Sequence, residues 1–362
     1  MRKNLKIALL ITSIVIVGGG TAFGIIIVVT WGEFKYSNTY YYDPQIPPSG
    51  IEEVSFNSDI GSIRINYNTT PTDYYVKVDL DIEIKGAFIA DKSFSDFFKP
   101  VTWVNESVSI TTFTLEKKHF TSFLFPLVQK INISITLRTD VIYDISALTH
   151  TGSVEMSIPE DILLNRTDLE TSTGSISVQA EENSTFLGKL ELRTSTGSID
   201  LIAKGVNFTY SFSTIVSTGS LNLNFTNCVI GEDIKAKAST GSIALKSYNL
   251  KYDKNCVWDV ETDTGSIDIE IYQYIEMNAN ITGVLETSTG SIDLIYKDNL
   301  ANVGASFFGS WSTGSYSRTN SGGFSSTDYN PFYSQDYSTA SNTYTLDLTV
   351  STGSIDVDGT SS

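Results

Sequence analysis

The hydrophobic pattern divides this chain into three unequal stretches. From Ile7 to Val29 no residue is charged and almost all are Ile, Leu, Val, Ala or Gly. At about 1.5 Å per residue, such a run forms a helix of roughly 35 Å, enough to cross a hydrocarbon core of about 30 Å. From Val54 to Leu148 the pattern becomes alternation, as in Tyr75-Val76-Lys77-Val78-Asp79-Leu80-Asp81-Ile82-Glu83-Ile84 and in Ile131-Asn132-Ile133-Ser134-Ile135-Thr136-Leu137. A period of two predicts half-buried strands. Beyond residue 149 one phrase, Thr-Gly-Ser, returns again and again.

Its glycines are Gly152, Gly174, Gly197, Gly219, Gly241, Gly265, Gly290, Gly314 and Gly353, with a looser copy at Gly61. Successive intervals from Gly152 to Gly314 are 22, 23, 22, 22, 24, 25 and 24 residues. A fixed period in the twenties is the mark of a stacked-repeat architecture. Counting each glycine as zero, positions −5, −3 and −1 read Leu169, Thr171, Thr173 and then Leu192, Thr194, Thr196. Positions +2 and +4 read Ile176 and Val178, then Ile199 and Leu201. The apolar parity switches across Gly-Ser, so a corner is expected there, with positive φ at each of the ten glycines and with −1 and +2 both turned inward. The expected fold is all-β: a parallel β-helix (β-solenoid) of about 22–25 residues per coil, preceded by one transmembrane helix. A rolled or stacked β-sandwich is the rival arrangement. A leucine-rich repeat is excluded by the missing Leu-x-x-Leu-x-Leu phrase, and helical repeats by the wealth of Thr, Ser and β-branched residues.

These readings give a domain plan. Residues 1–32 form a cytoplasmic basic tip and signal-anchor, 33–50 a stalk, 51–148 a membrane-proximal β region capping the repeats, and 149–357 the solenoid. The 39-residue interval between Gly314 and Gly353 holds Gly322-Gly323 in a Ser, Tyr and Asn-rich run, expected as a mobile insertion over about 315–343. Arg2, Lys3 and Lys6 precede the apolar run, and Trp31, Phe34 and Tyr36 follow it as candidate interfacial aromatics. The positive-inside rule then leaves the N-terminus in the cytoplasm and the C-terminal domain outside, on the extracellular face of the cell membrane. A cleavable signal peptide with a Gly20-Thr21-Ala22 site is the alternative.

Charge and composition narrow the function. The chain carries 24 Lys+Arg against 41 Asp+Glu, a net charge of −17, which excludes an ordinary nucleic-acid binder. Two His and two Cys in 362 residues exclude a Cys/His zinc cluster, an iron–sulfur site and a disulfide-dense scaffold. His119 and His150 accompany no nucleophile motif, and no phosphate-binding glycine loop is present. No catalytic, metal or cofactor-binding residue and no cofactor is therefore expected. The acidic residues Asp200, Asp268, Asp293 and Asp356 share position +3 and face outward, as a solvated file or, less simply, as a calcium or acidic catalytic pair. Cys228 and Cys256, 28 residues apart, form either a disulfide or two buried thiols. Asn-x-Ser/Thr sequons, candidate glycosylation sites, occur at Asn68, Asn105, Asn132, Asn165, Asn183, Asn207, Asn224 and Asn280.

The repeated Thr-Ser-Thr-Gly-Ser-Ile-(Asp/Ser)-(Leu/Val), with Ile158-Pro159-Glu160-Asp161 before it, resembles the adhesin-like domains of bacteria and archaea built from Thr/Ser-Gly-Asp/Ser β-repeats. The resemblance covers about residues 50 to 357; the family more often has Gly-Asp where this chain has Gly-Ser. It implies a membrane-anchored or secreted β-solenoid at the cell surface and, in some relatives, regulation of envelope signalling, with no catalytic residues to carry over. The expectation is a non-enzymatic, adhesin-like or structural surface protein whose partners are the membrane and a glycan or protein ligand. An envelope sensor acting through a membrane partner, and a β-helix carbohydrate-active enzyme, are the alternatives.

Overall fold

The computed structural model describes residues 31–43, 50–70, 73–87, 89, 91–107, 110–118, 126–299, 302–325 and 330–361. Among these residues 28 strands join in one hydrogen-bonded sheet, with one short helix, Phe94–Phe97. No helix among them is long and apolar enough to cross a membrane; the expected span, 7–29, lies outside the described residues.

Each repeat lays down a leading strand that ends at Thr-Gly-Ser and a trailing strand that begins just after it. The leading strands Leu163–Thr173, Leu190–Thr196, Phe212–Thr218, Ile234–Thr240, Cys256–Thr264 and Ile281–Thr289 pair in parallel, each repeat position on the same position of the next. The trailing strands from Val154–Ile158 to Ile292–Asp298 form a second parallel ladder, Val154 on Ile176 on Ile199 and so on to Ile292. Two-residue strands, from Thr185–Phe186 to Lys251–Tyr252, form a third. Every fold position thus becomes a column of side chains one ladder step, about 4.8 Å, apart.

The corner is built by glycine for two reasons. All ten corner glycines have φ between +117° and +150°. At Gly241 (φ +138°) a Cβ would also be driven into the carbonyl oxygen of Gly219 in the neighbouring repeat. The inward threonine at −3 completes the joint: Thr171, Thr194, Thr262 and Thr287 each donate from Oγ1 to the corner carbonyl of the preceding repeat, at 2.8–2.9 Å. The threonine at −1 is exposed in every repeat, contrary to the expected inward position. The chain has begun to turn one residue before glycine, so −2 and −1 both leave the core. A second corner, eight or nine residues on, holds Asp161, Asn183, Gly205, Asn227 and Asn249 at φ between +53° and +63°, residue types that tolerate the left-handed region.

Inside, the columns +2 and +4 are buried from Ile176 and Val178 to Ile292 and Leu294. Phe186 stacks on Phe208 with ring centres 5.1 Å apart. Towards the far end the core turns aromatic, with Trp258, Tyr252, Tyr296 and Tyr344 fully buried.

Both ends differ from expectation. The segment read as a stalk over 33–50 opens within the strand Trp31–Tyr42, which pairs antiparallel with Val76–Ala87 along its whole length. Phe34 and Tyr36, read as interfacial aromatics, pack instead on Phe97 and Phe94 at 4.9 and 4.5 Å. Alternation at Phe34, Tyr36, Tyr40 and Tyr42 is the strand signal that the aromatic and proline content masked. Val76–Ala87 pairs in turn with Pro126–Arg138, and Ile51–Ser58 and Ser62–Asn68 carry the parallel ladders into the repeats.

At the other end the insertion is not an extruded loop over its described part. Val303–Gly322 is a full-length strand, and Phe332–Tyr333 pairs antiparallel with its Ser306 and Phe307. The last strand, Asn342–Thr360, lies between Ile281–Asp298 and Val303–Gly322, in parallel register with both sides. The corner column therefore runs Gly290, Gly353, Gly314, out of chain order.

Candidate functional site

The outer faces carry the only broad, repeated chemistry among the described residues. In the file at +3, Asp200 is followed by Asn222, Ala244, Asp268, Asp293, Asp356 and Ser317. Because the last strand is interposed, three aspartates stand in succession, one more than chain order suggests. Burial, then the charges of Asp268 and Asp356 on either side, raise the pKa of Asp293. Ser291 donates to Asp293 at 3.4 Å, Ser317 donates to Asp356, and Asn222 donates to Asp200 at 2.7 Å. Asp200 stands apart from the other three. Among the described residues no group of three or more His, Cys, Asp or Glu is arranged to hold a metal ion.

The leading-strand face is laced by ion pairs between repeats. Arg193 reaches Asp168 of the preceding repeat at 2.9 Å and Glu191 of its own strand at 3.0 Å, and Lys237 meets Asp259 of the next repeat at 3.2 Å. Such exposed pairs stabilise by about 0–1 kcal/mol each and chiefly fix which charge faces which. Beside them lies a hollow of about 570 Å³, with the outward Val257 and Val284 in its wall and Lys189, Glu191, Lys235 and Asp259 around it. Val257 and Val284 are 45% and 42% exposed. An apolar patch bordered by both signs of charge offers apolar and hydrogen-bonding contacts side by side. The sequence signal for it was the appearance of valine where polar residues occupy the same columns.

The remaining candidates fall as follows. Cys228 and Cys256 are both buried and unbonded. The register sets Ile234 opposite Trp258, which puts Cys256 across from residue 232, four positions beyond Cys228. Burial pushes the Cys228 thiol up to about 11 and that of Cys256 up to about 12, so neither is a ready nucleophile. His150 is exposed, 3.6 Å from Asp59, and His119 lies outside the described residues. Of the sequons, Asn132, Asn183, Asn224 and Asn280 are exposed; Asn68, Asn165 and Asn207 are partly buried. Asn165 already donates to Asp144 at 2.6 Å. Asn105 lies on Thr102–Ser107, its side chain outside the described set.

A site the sequence did not announce is Glu52. It is fully buried, and its Oε2 accepts from Tyr42 at 3.0 Å while Oε1 has no partner. Burial raises its pKa.

No family model matches the chain, and no curated protein does. Solved structures do. A proposed cell adhesion protein of Clostridium sporogenes is 12% identical, with 90% of this chain and 99% of that chain covered at a TM-score of 0.25. A proposed adhesin of Bacteroides fragilis is 12% identical, covering 90% and 97% at 0.36. A proposed lipid-binding protein of Parabacteroides distasonis is 15% identical, covering 89% and 96% at 0.37. At these scores the likeness carries nothing about ligand or chemistry.

Proposed function

We propose that the three parallel ladders are the faces of a β-solenoid, and that this protein is a non-enzymatic, adhesin-like or structural component of the cell surface. In this reading Ile7–Val29 is a single membrane span with the N-terminus cytoplasmic, and the repeats stand outside. The observation that carries it is the unbroken register from Leu163–Thr173 to Asn342–Thr360, which turns each outward position into a straight file of side chains. Long, rigid files with many weak contacts suit a repetitive polymer such as an envelope polysaccharide, through multivalency rather than one deep pocket.

The test is binding of the full chain, in detergent or nanodiscs, to a panel of neutral and acidic polysaccharides, with calcium and with chelator, followed by product analysis. Any soluble fragment must begin at or before Trp31, since Trp31–Tyr42 belongs to the folded sheet. Saturable binding without products supports the reading. Release of products would sink the non-enzymatic part, and failure to bind any polysaccharide or the cell's own envelope fraction would sink the adhesive part.

A further inference from the structure

At the far end of the stack the outer edge of one strand is only partly paired among the described residues. Val303–Gly322 pairs with Asn342–Thr360 on one side along its length. On its other side it meets Phe332–Tyr333 at Ser306 and Phe307, and the side chain of Asn330, which accepts from the Gly309 N–H at 3.0 Å and donates to its carbonyl at 2.7 Å. Beyond that, along Ser310–Ser315, no strand among the described residues pairs with the outer edge. All six of these residues are exposed. Trp311 occupies an inward column, opposite Val350, which is 1% exposed; Trp311 itself is 39% exposed. It lies flat on Tyr316, ring centres 5.3 Å apart, and Phe308 nearby is 45% exposed. Proteins ordinarily guard such an edge with lysine, proline or a bulge. Residues 303–317 contain no charged residue and no proline, and the one irregularity in the ladder falls later, between Asn320 and Gly322.

We propose that this edge is a homotypic interface: two copies join tip to tip, their 310–315 segments pairing antiparallel about a two-fold axis. Charge selects the partner. Each copy carries −17 overall, so side-by-side approach sets acidic face against acidic face. The edge over 303–317 is uncharged, and the column of ten corner glycines behind it spans roughly 40 Å at about 4.8 Å per step. Tip-to-tip contact therefore keeps most of the two acidic bodies many Debye lengths of about 8–10 Å apart. A basic peptide would be drawn to the sides rather than to this end. A strand edge is self-complementary under a two-fold axis, since each N–H meets a carbonyl of the same sequence running the other way. The pairing covers Trp311 and does not depend on which ligand the sides take.

Cysteine cross-linking in the full chain tests this, because both native thiols are buried and unreactive. Single variants Ser310→Cys, Ser312→Cys, Thr313→Cys and Ser315→Cys are oxidised mildly beside Thr240→Cys, an exposed mid-stack control. At least one tip variant should yield a disulfide-linked dimer while Thr240→Cys stays monomeric, and Trp311→Lys combined with the cross-linking variant should cut dimer yield at least tenfold. Native circular dichroism of each variant confirms folding. No tip cross-link, equal cross-linking at Thr240→Cys, or a dimer unmoved by Trp311→Lys overturns the proposal. None of these results alters polysaccharide binding by the sides, so the two readings fail separately.

Discussion

Exchange of Gly241 for alanine asks a residue with a Cβ to hold φ +138° against the Gly219 carbonyl. We expect a loss of about 3 kcal/mol or more, read as an early melting transition, since positive φ and overlap with backbone add. The inward threonines behave more mildly. Val216 and Val350 stand in the same column as Thr194 and Thr287, so the core already accepts a branched apolar side chain there. Thr262→Val should cost no more than about 1 kcal/mol, the worth of its hydrogen bond to Gly241, whereas Thr262→Ala should cost more through the void it leaves. Equal melting shifts for the two variants would show that the hydroxyl, not the shape, holds the joint. At this scale the sequence is informative where a residue type is forced: the corner glycines announce themselves because nothing else fits. Exposed Thr at −1 was misassigned because parity counting assumes a straight strand up to the glycine.

At the scale of the element, a ladder in strict register brings like next to like, which is favourable for Leu and Ile and unfavourable for Asp. Asp268, Asp293 and Asp356 stand on adjacent rungs, and the central carboxyl holds its proton more tightly than an unfolded aspartate does. A raised native pKa adds stability at acid pH, which is lost as pH climbs past that value. Asp293→Asn should therefore melt above the parent chain at pH 7–8 and converge with it below about pH 4, near the reference carboxyl value. A pH-independent difference would remove electrostatics as the cause. Glu52 obeys the same rule in the buried end-cap, where one oxygen lacks a partner, so Glu52→Gln should also raise the melting temperature at neutral pH and not at acid pH. The Asp file was legible in the sequence only as a parity; its three-fold run was not, because that depends on which strand lies beside which.

For the molecule as a whole, the repeat period carried the all-β architecture and the like-on-like stacking, while both ends escaped a reading based on period. The Trp31–Tyr42 strand and the aromatic lid at the far end break the repeat, and their partners are set by tertiary pairing of distant segments, such as Thr343 with Asn280, 63 residues apart. The most consequential departure is that Asn342–Thr360 lies inside the stack rather than at its end. Synthesis from the N-terminus delivers Val303–Gly322 first, with its own Thr-Gly-Ser corner, to an edge at Ile281–Asp298 that accepts such a corner. The later strand must then evict it or find the place held open. A chain ending at residue 341 should accordingly show Ile281–Asp298 amides still protected from hydrogen exchange, with Gly314 seated on Gly290; rapid exchange there would mean the place waits empty. Completion of this end thus waits on a segment made later than the strand that covers it, whether that segment displaces Val303–Gly322 or enters a place kept for it.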